Sequence, residues 1–137
     1  MEKQMAEFTL NTPKRNVILD ITEEINARIP KDMECGICHI ICPHTTAGIT
    51  VNENADPAVK HDILEKLAHL IPHDETYYQH DEENSDAHLK AILTGFSLAL
   101  PVKHGKLSLG TWQGVYFCEY DGPRTRKVRL FFQKAEE

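Results

Sequence analysis

Apolar residues recur along this chain with two periods, and the switches between them predict its elements. Residues 7–10 and 16–19 are β-prone runs split by Asn11-Thr12-Pro13-Lys14, which predicts an N-terminal hairpin. Asp20 with Glu23 resembles a capping box, and Ile21, Ile25 and Ile29 follow at helical spacing until Pro30 stops them. Residues 35–42 predict a buried strand paired with residues 48–51. Pro43 between them leaves His44-Thr45-Thr46 at a bend where side chains leave the sheet.

Asp56-Pro57 opens the clearest helix, with Val59, Ile63, Leu67, Leu70 and Ile71 on one face and Pro72 as its end. A polar loop over residues 73–79 leads to a further helix, capped by Asn84 or Ser85 and stopped at Gly95. Its apolar stripe is Leu89, Ile92 and Leu93, expected to face the core. Strands follow over residues 96–100, 106–109, 115–120 and 127–133, and Asp121-Gly122 signals a hairpin between the last two. The expected fold class is α+β, a mostly antiparallel sheet with two or three helices, as one domain over residues 1–137.

Charge removes one class of function. With 21 acidic against 15 basic residues and a net charge of −6, the chain lacks the basic face a nucleic-acid backbone requires. The basic residues gather at Arg124, Arg126, Lys127 and Arg129, either as an outward strand face and turn or as a local anion site. No run approaches the roughly 20 apolar residues of a membrane span, and the first residues lack a signal-peptide core, so a cytoplasmic location is expected. The four cysteines are then free thiols. Cys35 and Cys38 have C-x-x-C spacing, but three residues apart in a strand they point to opposite faces, which favours packing over a redox or zinc role.

The densest chemistry lies in residues 80–89, which hold two histidines, an asparagine and four carboxylates. His88 shares a helix face with Ile92 and should point inward or into a cleft. His80, Asp81, Asn84 and Asp86 lie near it in sequence, and neutral imidazoles with carboxylates suit a zinc-type ion. His44, Thr45 and Thr46 at their bend, with Asn52 and Glu53 downstream, form a second polar set expected to meet the first in one pocket. Two glycines flank the only tryptophan in Gly110-Thr111-Trp112-Gln113-Gly114, either as a kinked strand or as a ligand-contacting loop. Arg124 sits in a glycine-proline turn, as a surface ion pair or as a phosphate or carboxylate anchor.

Taken together, His44-Thr45-Thr46-Ala47-Gly48-Ile49, Asn52-Glu53-Asn54-Ala55-Asp56-Pro57, Asn84-Ser85-Asp86-Ala87-His88, Gly110 to Phe117 and Asp121-Gly122-Pro123-Arg124 resemble the YjbQ-like family. The likeness runs from about Phe8 to Phe132. Members are often labelled secondary thiamine-phosphate synthases, which join a pyrimidine diphosphate to a thiazole phosphate. The resemblance implies a mixed sheet curled around a helix and assembly as a homotrimer. It also implies a divalent ion, often zinc, on His44 and His88 with His80 as third ligand; the cysteines match no motif of the family.

Under a synthase reading, Arg124 with Thr45, Thr46, Asn52 and Asn84 would hold a small phosphorylated metabolite. Glu53 or Asp86 would position the reactants, and Trp112 with Gln113 beside it would stack on the pyrimidine cation. Two other readings use the same residues. One is a metal-dependent hydrolase or lyase with Glu53 or Asp86 as base; the other is a non-enzymatic module for a small anion or a metal.

Overall fold

The computed structural model describes residues 4–136. Its strands form two antiparallel sheets. One, in the order β1-β8-β3-β5-β6, uses β1 (Met5–Asn11), β8 (Thr125–Lys134), β3 (Cys35–Ile41), β5 (Ser97–Lys103) and β6 (Lys106–Leu107). The other, in the order β2-β7-β4, uses β2 (Val17–Asp20), β7 (Gln113–Glu119) and β4 (Ala47–Glu53). The α+β class expected from the sequence is the one observed.

Period-two alternation builds the core. Val128, Leu130 and Phe132 of β8 and Cys38 and Ile40 of β3 point inward, against Ile49 of β4 and Val115 and Phe117 of β7. The helix α1 (Thr22–Asn26) lies beside the core, and Ile21, Ile25 and Ile29 are all buried as their spacing predicts. It ends before Ile29, and Asp20 starts it by accepting from the Thr22 amide at 2.9 Å. Strand β7 is buried on both faces. Its other side, Tyr116 and Cys118 with Tyr120 beyond, meets Ile63, Leu64 and Leu67 of α2 (Pro57–Leu70) and Ala87 and Ala91 of α3 (Ser85–Thr94).

Three expected pairings are replaced. β1 pairs with β8 and β2 with β7, so residues 7–19 form no hairpin. β3 pairs with β5 and β8 while β4 pairs with β7, so the bend at Pro43 carries the chain between sheets. β7 and β8 likewise lie in different sheets, joined through a cis Gly122–Pro123 bond. Each turn reverses the chain, but a two-layer core draws the next strand to the opposite layer. The hairpin that does form joins β5 to β6 through His104 and Gly105, with φ of 54° and 75°. Two successive positive φ values are what a two-residue turn of this hand requires.

The helices also depart from expectation. In α3 the buried positions are Asp86, Ala87 and Lys90, while Ile92 and Leu93 are 76% and 65% exposed. The inversion has an electrostatic cause: Arg15, from the turn before β2, grips both oxygens of Asp86 at 3.0 Å. Lys90 lies 3.5 Å from the same carboxylate and 5.8 Å from the Tyr120 ring centroid. Burial raises the pKa of Asp86, but Arg15 and Lys90 outweigh it and hold the carboxyl below its usual value. α2 has no fully buried residue; Ile63 and Leu67 are half covered and Leu70 is exposed. No described helix is long and apolar enough to cross a membrane.

Candidate functional site

The cleft begins with a buried ion pair. Glu119 ends β7 and Arg126 lies near the start of β8, both facing inward where their strands otherwise carry apolar residues. The Arg126 guanidinium binds both Glu119 oxygens, with its Nε 2.7 Å from Oε1. Glu119 also accepts from the Thr12 hydroxyl at 2.8 Å and the amides of Tyr120 and Asp121 at 3.1 and 3.0 Å. Burial would raise the Glu119 carboxyl, but these donors together pull it below its ordinary value. Arg126 further donates to the Thr46 hydroxyl at 2.8 Å, fixing the bend at residues 43–46.

On that base, His44 is held by the Lys127 amide, which donates to its Nε2 at 2.8 Å. Nε2 is therefore the acceptor, and the neutral ring carries its proton on Nδ1. Burial, then the Arg126 charge, lowers the His44 pKa, so the ring stays neutral at pH 7. Asn84 stands at the start of α3, but its side chain does not cap the helix. Its Nδ2 donates to Asp121 at 2.8 Å, and its Oδ1 is buried with no hydrogen-bond partner. Arg124 donates through Nε to the Asp121 carbonyl at 2.8 Å and through Nη2 to its carboxylate at 3.0 Å. Its Nη1 has no protein partner among the described residues.

These groups line a polar cleft of about 280 Å³ that takes in His44, Thr45, Thr46, Asn84, His88 and Arg124. A second cleft of about 540 Å³, walled by Cys42, Ala47, Ala91, Ile92 and Phe96, shares His44, Thr45 and His88 with it. The two are halves of one bipolar groove, polar on one side of the histidines and apolar on the other.

The remaining expected residues lie elsewhere. Asp86 is sealed against Arg15 and is no base here. Asn52 and Glu53 sit at the far end of β4: Ala47 pairs with Glu119 but Glu53 with Gln113, and six strand steps span about 20 Å. The second polar set is therefore split: His44, Thr45 and Thr46 meet Asn84 and His88 in the cleft, whereas Asn52 and Glu53 do not reach it within one chain. Trp112 is 65% exposed beyond that same end of β4. Gln113 accepts from the Gly110 amide at 2.8 Å, so its side chain braces its own loop. Arg126, which the sequence leaves as an outward-face residue or part of a local anion site, is instead buried against Glu119, a pairing the sequence does not announce. Alternation with Val128 and Leu130 is the signal that points to Arg126.

The chain matches the family model described as "UPF0047 protein YjbQ-like" over residues 6–135. It belongs to the YjbQ/UPF0047 family. Among YjbQ-like relatives, the UPF0047 protein MJ1081 of Methanocaldococcus jannaschii is 50% identical over 126 residues, 91% of each chain. A YjbQ/UPF0047 family protein of Clostridium acetobutylicum has a solved structure that is 46% identical, with a TM-score of 0.88, covering 93% of this chain and 99% of that one. The conserved hypothetical protein TT1486 of Thermus thermophilus gives the same TM-score and coverage at 40% identity.

The expected metal set of His44, His80 and His88 does not fit an ion in this arrangement. His44 has its Nε2 occupied by the Lys127 amide and a proton on its other nitrogen. His80 and His88 meet edge to face, with ring centroids 5.4 Å apart, and His80 turns toward Glu82 at 3.7 Å. Among the described residues, no three His, Cys, Asp or Glu side chains are grouped as a metal centre.

Proposed function

We propose that the groove at His44 and His88 binds a small phosphorylated metabolite with a flat apolar body, and that thiamine-phosphate synthesis is the reaction it serves. The reading rests on one observation: a polar cleft and an apolar cleft share His44, Thr45 and His88. A heteroaromatic phosphate has the same two halves. Its oxygens would meet the free Nη1 of Arg124, the Nδ1–H of His44 and the Thr45 hydroxyl. A donor on the ligand would satisfy the orphaned Asn84 Oδ1, which otherwise costs about 1–3 kcal/mol.

Joining hydroxymethylpyrimidine diphosphate to thiazole phosphate builds negative charge on departing diphosphate and positive charge on the pyrimidine methylene. Arg124 and a neutral, donating His44 suit the first. Assembly as a homotrimer belongs to the same reading, supported by the exposed Leu89, Ile92, Leu93 and Phe96 beside the groove. A cytoplasmic setting is supported by four free thiols. The test is a coupled assay from both precursors: thiamine phosphate should form with wild type and be lost in His44→Ala. Equal turnover in that variant would overturn the assignment. Saturable binding of the pyrimidine phosphate without turnover would leave a binding module in place of an enzyme.

A further inference from the structure

A separate cleft of about 240 Å³ lies between α2 and the outer face of the three-stranded sheet. We propose that it is a binding site for a small monocarboxylate with a compact apolar body. The inference does not depend on the groove at His44.

The cleft exists because α2 stands off the sheet it covers: the 14-residue helix has no fully buried residue. Strand register decides which side chains reach it. Thr50 pairs with Tyr116, and directly opposed residues of an antiparallel pair share a face. Thr50, Asn52 and Tyr116 therefore project toward α2, whereas Ile49, Val51 and the Glu53 side chain belong to the other face. Glu53 meets the cleft through its backbone carbonyl, which accepts from the Tyr116 hydroxyl at 2.9 Å.

Donors without partners gather around the Tyr116 ring. The half-buried Lys60 ammonium lies 5.4 Å from the ring centroid and forms no ion pair or hydrogen bond among the described residues. Contact with the ring face leaves its N–H groups available. Asn52 turns its Oδ1 to the Glu53 amide at 2.7 Å, so its Nδ2 is free to donate. The Thr50 hydroxyl also has no protein partner among the described residues. Asp20, a carboxylate on the same face, is engaged by the Thr22 amide and hydroxyl at 2.9 and 2.6 Å. Moving along α2 by one turn and then two brings Ile63 and Leu67, joined by Leu93 of α3. That end is apolar.

One cation and two neutral donors complement a singly charged group that only accepts, which is a carboxylate. An amine would find no acceptor there, and a phosphate dianion would leave one charge uncompensated. The carboxylate meets Lys60 with Asn52 and Thr50, and the apolar body runs toward Leu67. The volume lies below the roughly 300–1,000 Å³ of drug-sized sites, which favours a compact molecule over a nucleotide.

The test titrates 4-methylpentanoate into the full-length protein and follows backbone amides by NMR. Signals of residues 50–52 and 60–67 should shift saturably, and those of His44 and His88 should not. 4-Methylpentan-1-ol lacks the charge, 4-methylpentylamine reverses it and acetate lacks the apolar body; each should bind at least about tenfold more weakly. Lys60→Gln should weaken 4-methylpentanoate about tenfold without lowering the melting temperature, and Lys60→Arg should keep most of the affinity. No saturable shift, shifts centred on His44 and His88, equal affinity for the alcohol, or unchanged affinity in Lys60→Gln would each overturn the proposal.

Discussion

Replacing Arg126 by methionine keeps much of the side chain's bulk but leaves Glu119 buried without its cation. Glu119 is 0% exposed and Arg126 5%, so the penalty is that of an uncompensated interior charge, about 3–5 kcal/mol. For a chain of 137 residues this lowers the melting temperature by roughly 10–20 °C. The pH dependence identifies the cause.

In the wild type the folded pKa of Glu119 lies below its ordinary value. Its contribution is therefore full above the ordinary carboxylate pKa and is lost as pH falls through the folded one. Without Arg126, burial is the largest remaining influence and raises the folded pKa, so acid protonates the carboxyl and relieves the variant. Urea unfolding of both proteins at pH 7.5 and pH 5 should show the stability gap narrowing as pH falls. The double variant Arg126→Met with Glu119→Gln should recover most of the loss. A gap under about 1 kcal/mol, or one that does not change with pH, would refute the reasoning.

Two further outcomes follow from the packing. Gly122→Ala should cost about 1–3 kcal/mol by chemical denaturation, because a Cβ there would lie 2.3 Å from the Lys14 carbonyl and 2.7 Å from the Thr12 hydroxyl. Burial pushes the thiols of Cys38 and Cys118 up to about 12. Native protein treated with iodoacetamide at pH 8 should therefore be labelled at the half-exposed Cys35, with Cys38 and Cys118 modified only after unfolding.

Periodicity disclosed where the strands and helices lie, because each element's own side chains decide that. It did not disclose which strands pair. The turns at Asn11–Lys14 and Asp121–Gly122 are local, and nothing local tells a strand which of two layers it enters. The inversion of α3 is equally hidden, since Asp86 reads as a site carboxylate rather than a structural one until Arg15 arrives from a distant part of the chain, and Lys90 is buried beside it against Tyr120. In the groove, His44, Thr45, Thr46, Asn84, His88 and Arg124 were legible as chemistry and are brought together. Asn52 and Glu53 were legible too, but the length of β4 separates them. The burial of Arg126 and Glu119 is harder to read, because charged residues near a turn look like surface. Their alternation with Val128 and Phe117 carried the contrary message.

The pairing of β1 with β8 has a consequence for how the protein is made. Phe8 lies opposite Val128, 120 residues further on. At a synthesis rate of about 5–20 residues per second, β1 waits roughly 6–24 s on the ribosome before its partner is made. Throughout that interval its edge is open and Phe8 lacks the core that will cover it. β3 has β5 to pair with sooner, but the layer is not closed until β8 enters between β1 and β3. Folding of the five-stranded layer is thus completed by its last strand, which places this chain among slow, late-committing folders whose open edges are exposed to aggregation while they are being translated.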